Sequence, residues 1–173
     1  YVETNNITYS NDFTVSGIFN TISNAQGMSI FDQDGGNGQD LLVVSVRYNK
    51  LNVGFRNESE PGTDLMTETI VNDGNSHSFS IIREGDSLKL YLDGSLEAST
   101  SVPSFEFNND KPTFIGVNNF SGSPSNYFDG FITKIKLINV AVDPELDDSW
   151  ISDEIDNNTI ALWKINQGNS GDL

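Results

Sequence analysis

Apolar and polar residues alternate in many short stretches of this chain, and nowhere does an apolar period of 3.6 residues run past two helical turns. In residues 13–19, Phe13, Val15, Gly17 and Phe19 alternate with Thr14 and Ser16, while Ile18 blurs the polar side; this is the pattern of a half-buried strand. Residues 41–48 place Leu42, Val44, Val46 and Tyr48 on one face, and Leu51, Val53 and Phe55 resume the period after an Asn49-Lys50 turn, which predicts a hairpin. A second hairpin joins residues 79–83 to residues 88–92 through Glu84-Gly85-Asp86 and is closed by an Asp93-Gly94 turn, with Leu88, Leu90 and Leu92 on its core face. Residues 113–117 read as a short apolar strand. In the run 128–142 the alternation shifts between Ile132 and Ile135, as a β-bulge would make it do.

These signals predict an all-β domain, a two-sheet antiparallel β-sandwich over residues 1–142, because short strands separated by polar loops must bury one face each against a partner sheet. Residues 143–173 form a different, acidic C-terminal segment. It opens on the turn-rich Asp143-Pro144-Glu145-Leu146-Asp147-Asp148, and residues 149–156 are expected to hold a short helix. Residues 159–165 return to strand, with Ile160, Leu162 and Lys164 alternating against Ala161, Trp163 and Ile165, and residues 168–173 read as linker.

Composition narrows the partners. At 173 residues, folding hides roughly 70% of the surface that the unfolded chain exposes, so a core forms without covalent staples. There is no cysteine, which excludes disulfides, a thiolate nucleophile and a cysteine zinc site. No stretch approaches the ~20 apolar residues that span a bilayer, and the absence of a start Met or signal-like run at Tyr1 leads us to expect a piece of a larger chain with neighbouring domains. Twenty-five acidic against nine basic residues give a net charge of −16. That balance opposes nucleic acid and anionic membranes and leaves cations, neutral sugars and basic peptides as partners. Solubility in a salty or extracellular medium accounts for much of the same charge.

Three segments in order resemble the laminin-G-like, concanavalin A-like family. Asn72-Asp73-Gly74-Asn75-Ser76-His77 followed by Leu88-Lys89-Leu90-Tyr91-Leu92-Asp93-Gly94 is similar to its turn, strand and Leu-x-Leu-Tyr-x-Asp-Gly hairpin. Phe128-Asp129-Gly130-Phe131-Ile132 resembles its closing strand, and Ser76 departs from the Trp common there. The resemblance covers residues 11–142 and implies a concanavalin A-like jelly roll used for glycan or protein binding. Ile160-Ala161-Leu162-Trp163-Lys164-Ile165 resembles the strand that commonly opens such a domain, so it is expected either to fill that slot in its own sandwich, sparing an exposed edge, or to begin a following repeat.

Candidate chemistry gathers in loops. Residues 32–40 concentrate Asp32, Asp34 and Asp40 with amides and glycines, oxygen donors suited to a hard cation such as calcium. Asp34 is also a candidate ligand contact. Residues 35–43 fit the calcium nonapeptide, which works only in stacked repeats. The family resemblance implies a calcium site at one rim, with side chains from Asp40 and Asn108 and backbone carbonyls from Asn57 and Glu106. Residues 118–127 offer amides and rings, and Asn118, Asn119, Phe120 and Tyr127 are candidate sugar contacts, because ring faces stack on C–H surfaces while amides bind hydroxyls. The alternative is a solvated loop with Phe120 and Tyr127 packed inward.

An enzyme needs more. The E-x-D-x-x-E strand of glucanases of related fold is absent; Glu145-Leu146-Asp147 and Glu154-Ile155-Asp156 supply only its first half. His77, the one histidine, enters a strand and reads as structural, and Trp150 and Trp163 read as packing residues. Sequons at Asn6, Asn57, Asn119 and Asn157 are expected by chance in so Asn-rich a chain. The expectation is a non-catalytic, calcium-supported recognition module for glycan or extracellular protein, at the cell or virion surface. A ligand-free spacer of a surface protein or viral fibre is the alternative, with glycoside hydrolase behind both.

Overall fold

The computed structural model describes residues 1–5, 7–34, 40–57, 62–103, 112–119 and 123–165. Among them are twelve strands: β1 (Val2–Thr4), β2 (Phe13–Asn20), β3 (Met28–Asp34), β4 (Leu41–Arg47), β5 (Lys50–Arg56), β6 (Thr63–Ile70), β7 (Ser76–Glu84), β8 (Ser87–Leu92), β9 (Ser95–Ser101), β10 (Thr113–Ile115), β11 (Phe131–Ile138) and β12 (Thr159–Lys164). They form two six-stranded sheets, sheet I in the order β1-β10-β3-β4-β5-β6 and sheet II in the order β12-β11-β2-β7-β8-β9. All pairings are antiparallel.

The alternation read from the sequence sets which face each strand buries. Phe13, Val15 and Phe19 from β2, Phe79 and Ile81 from β7, and Leu88, Leu90 and Leu92 from β8 face Leu42, Val44 and Val46 from β4 and Leu51, Val53 and Phe55 from β5 across one core. At roughly 1.5–3 kcal/mol for each fully buried side chain, this layer supplies most of the favourable free energy of folding. Gly17 holds the third of the four inward positions of β2. A Cβ there would lie 2.6 Å from both Ile135 Cδ1 and Phe79 Cε1 and 2.8 Å from the Lys134 carbonyl, so only glycine lets the neighbouring strands pack this closely. The expected bulge exists: the register of β11 against β2 shifts between Ile132 and Lys134.

Several boundaries differ from expectation. Arg47 pairs with Lys50, so the first hairpin turns at Tyr48-Asn49, both with positive φ (53° and 63°), and Tyr48 is exposed rather than in line with Val46. A two-residue turn of this hand requires left-handed backbone at both positions, which takes Tyr48 out of the strand. Asp32 and Asp34 belong to β3, not to a loop, because their backbone pairs with Val43 and Leu41. Strands β1, β6 and β9 carry too few alternating apolar residues to stand out. Strand β11 ends at Ile138, short of Val142.

The C-terminal segment covers the outer face of sheet II. The Thr14 hydroxyl donates to the Val140 carbonyl (2.8 Å) and accepts from the Val142 N–H (2.9 Å), and the Ser16 hydroxyl donates to the Trp150 carbonyl. Trp150, Val142 and Ile138 pack into a small second core. The expected helix is a single 3-10 turn, Asp148–Trp150, capped by the Asp147 carboxylate on the Ser149 N–H (2.7 Å). It goes no further because the carbonyls that would continue it turn to lysines. Lys136 Nζ donates to the carbonyls of Ser149 (2.8 Å) and Glu154 (2.9 Å) and to both oxygens of Ser152 (3.3 Å each), and Lys134 Nζ donates to the Ile151 carbonyl (2.7 Å). Strand β12 pairs with β11 at the sheet edge, and Ile160, Ala161, Trp163 and Ile165 pack on the main core. The residues 168–173 read as linker lie outside the described residues.

The other edges are tied together by Glu97 on β9. Its carboxylate accepts from the Glu68 and Thr69 N–H groups of β6 (2.8 and 3.2 Å) and from the Thr69 hydroxyl (2.6 Å), occupying edge groups that would otherwise invite another strand.

Gly17→Ala tests the packing between β7 and β11. It is expected to cost about 1–3 kcal/mol of unfolding free energy in denaturant melts, the ordinary penalty of overpacking a core, with the far-ultraviolet spectrum still that of a β protein.

Candidate functional site

Outward positions of sheet I form a concave groove of about 460 Å³. Register explains its composition. Ser29 pairs with Ser45 and Ser45 with Asn52, while Asp32 pairs with Val43, Val43 with Gly54, and Gly54 with Asp64, so small and polar residues from four strands share one face. The middle of the lining is Ser29 of β3, Leu41, Val43 and Ser45 of β4, and Asn52 and Gly54 of β5. Asp34 and Asp64 stand on the walls, Asn118 and Asn126 border it from the β10–β11 connection, and Arg47 with Tyr48 closes one end. A Cβ on Gly54 would sit 3.5 Å from Asp64 Oδ1 and 3.3 Å from Leu41 Cδ2, which places the Asp64 carboxylate beside Gly54.

The wall is held from beneath by Asp32, which is 1% exposed. Its carboxylate accepts from the Asn118 side-chain amide, and the Asn118 and Ser125 backbones bond reciprocally (2.9 and 2.7 Å) to close the loop between them. Burial raises the Asp32 carboxyl from 3.8 to about 6; the Asn118 hydrogen bond opposes this and the nearby Asp34 charge adds to it. Asp34, its side chain 9% exposed, lies 3.9 Å from the Arg56 guanidinium.

Of the residues expected at a calcium rim, Asp40 and Asn57 meet: the Asn57 side-chain amide donates to Asp40 Oδ1 (3.1 Å), and Asp40 is 2% exposed. Glu106 and Asn108 lie outside the described residues, as do Phe120 and the stretch 35–39 of the acidic loop. Among the described residues no group of three or more His, Cys, Asp or Glu is placed to hold a metal. Asn118 borders the groove together with Asp34, while Asn119 follows Asn118 in the same loop. Tyr127 does not join them: its ring is exposed and lies 6.3 Å from the Tyr1 ring. Sequence reading missed Ser45, Asn52, Gly54, Asp64 and Asn126. For Ser45, Asn52 and Gly54 the one signal was the outward half of the alternation in β4 and β5, which looks like any solvent face until the register places them side by side; Asp64 lies on β6, which carries no clear period, and Asn126 lies in the amide-rich loop 118–127 without standing out from its neighbours.

The other titratable clusters lie elsewhere. His77 is clamped between Asp93 (2.8 Å from Nδ1) and Asp73 (3.2 Å from Nε2) with Phe19 beside its ring, tying two turns together. Asp147, Glu154 and Asp156 border a separate hollow of about 420 Å³ around Lys136, on the outer side of sheet II. No helix among the described residues is long and apolar enough to cross a membrane.

With this geometry in hand, comparison with known proteins gives a consistent answer. The family described as the concanavalin A-like lectin/glucanases superfamily matches residues 1–145. Among solved structures, domains LG4-5 of the mouse laminin alpha1 chain superpose with a TM-score of 0.64 at 14% identity, over 90% of this chain and 40% of that one. The CBM40 of the Ruminococcus gnavus IT-sialidase bound to alpha2,3 sialyllactose gives 0.68 at 13% identity, over 83% of this chain and 95% of that one. A botulinum neurotoxin type C structure, whose cell entry depends on two ganglioside molecules, gives 0.61 at 14% identity over 80% and 34%. This chain thus spans less than half of the laminin and neurotoxin chains that it matches. Among curated proteins nothing matches.

The raised Asp32 carboxyl predicts a pH signature. Between about pH 4 and 6 the folded protein holds a proton that the unfolded chain has released, so this group stabilises the fold fully below its ordinary pKa of 3.8 and loses that contribution as pH rises through about 6. Asp32→Asn keeps an acceptor for Asn118 without the charge. It is expected to gain on wild type as pH rises, by up to about 3 kcal/mol near neutrality, in denaturant melts across that range; a difference independent of pH would contradict the assignment.

Proposed function

The chain belongs to the concanavalin A-like lectin/glucanases superfamily, and on that footing we propose that it is a non-catalytic glycan-binding module whose combining site is the groove on sheet I. The observation that carries this reading is a concave surface of Ser45, Asn52 and Gly54 with the apolar Val43 and Leu41, bordered by the carboxylates of Asp34 and Asp64 and the amides of Asn118 and Asn126. Such a surface offers acceptors and donors to hydroxyls without placing a nucleophile. Neighbours of the same fold include a carbohydrate-binding module seen with sialyllactose. The carboxylate pairs nearest to a glucanase pattern sit on the covered side of sheet II, away from the groove. The laminin-like fold and the strongly acidic charge support a setting at the cell or virion surface, within a larger protein. We include β12 in the module, because it extends sheet II and packs on the main core.

We also propose calcium support at the rim, where Asp40 meets Asn57. Calcium would act there as a structural cation, tying the start of β4 to the end of β5 through oxygen ligands, with Asn108 and Glu106 completing the set.

A glycan array probed with and without a chelator tests the binding reading: specific binding to at least one glycan is expected, and silence in both conditions would favour a spacer. Calcium should raise the Tm of the wild type, and Asp40→Ala should abolish that rise; a full rise in the variant would remove Asp40 from the site.

A further inference from the structure

Building on the groove reading above, we propose that this groove selects neutral, hydroxyl-rich glycans and rejects sugars that carry a carboxylate or sulfate. The charges around it are unequal. Asp34 and Asp64 line it together with Arg47, the one cation among its described lining residues. Arg56, the next guanidinium on the same outward face, lies 3.9 Å from Asp34, which already draws on its charge. Asp32, two residues before Asp34 on the same face, adds a third carboxylate behind the wall.

An anionic sugar would leave water to lie beside these carboxylates, with an exposed arginine at one end as its compensation, and that desolvation is costly. A neutral sugar meets the opposite situation. A carboxylate accepts two hydroxyl protons in charge-assisted hydrogen bonds, which suits a vicinal diol. The Asn126 amide packs within 3.8 Å of the point where a Gly27 Cβ would stand, and the Gly27 N–H donates to the Val46 carbonyl (3.1 Å), so this amide borders the groove at the same end as Arg47. The Ser29 hydroxyl, in a residue 1% exposed, lies beneath the groove surface. Gly54 leaves a gap between Leu41 and Asp64, and Val43 beside it offers an apolar surface to the C–H face of a sugar.

The test compares matched pairs by calorimetric titration at near-neutral pH: lactose with sialyllactose, and galactotriose with trigalacturonate, extended to any neutral glycan found on the array and its acidic counterpart. The neutral member is expected to bind at least about tenfold more tightly. Asp64→Asn is expected to weaken neutral binding several-fold and to narrow the gap. Gly54→Leu, which fills the groove from an outward strand position, is expected to abolish binding while it keeps a cooperative melt and the circular-dichroism spectrum of the wild type. Equal or tighter binding of the acidic members, lost in Gly54→Leu, would overturn the selectivity and keep the groove. Neutral binding undiminished in a folded Gly54→Leu would overturn the groove itself, and no binding by any member would overturn both.

Discussion

A pair of packed sheets has four faces and one core, and everything distinctive about this molecule follows from what happens to the two faces left over. On sheet II the outer face is closed by residues 139–156, and the closure depends on one buried ammonium. Lys136 is 2% exposed, and burial pulls its basicity down while Asp156 and its acidic neighbours pull it back. Taking an ammonium out of water is tolerable only when its protons are met. Here four oxygens of the covering segment meet them, so the charge and the loop secure each other. Asp153 adds a bridge between Lys134 on β11 and Lys164 on β12. With that side sealed, the outer face of sheet I is the broad surface left for a ligand.

That surface carries features that stability alone would not select. Asp32 is buried on the outward face of β3, where its ionisation above about pH 6 costs stability, although an asparagine would accept the same bond from Asn118. Glycine at position 54 of a central strand gives up side-chain packing and β propensity. Departures of this kind, paid for elsewhere in the fold by a well-packed core, are typical of sites shaped by what they bind.

How much of this was legible in the chain depends on what each residue had to do. Inward residues of β2, β4, β5, β7 and β8 alternate because burial imposes a period of two, so the hairpins and the bulge near Ile132 stood out. Strands β6 and β9 did not, since edge strands carry Thr, Glu and Ser. The second half of β3 read as loop because Asp32, Gln33 and Asp34 are polar. Gln33 is in fact fully buried, with its amide donating to the Ile7 carbonyl (2.7 Å) and accepting from the Tyr9 hydroxyl (2.6 Å). Only tertiary structure reveals such pairings. The rim residues Asp40 and Asn57 came from family resemblance, whereas the groove residues come one or two from each strand and form no local motif. The ring and hydroxyl of Tyr127 suit a sugar contact, but its place beside Tyr1 follows from the chain's path beyond Gly116, which sequence alone does not give.

Backbone amide chemical-shift mapping during titration with a bound neutral glycan tests the central claim most directly. The account predicts the largest changes at Gly27, Ser45, Asn52, Gly54, Asp64 and Asn126, with Thr14 and Ser16 beneath the Lys136-held segment unmoved. Perturbations centred on that covered face, or on the aromatic cluster of Tyr1 and Tyr127, would contradict it.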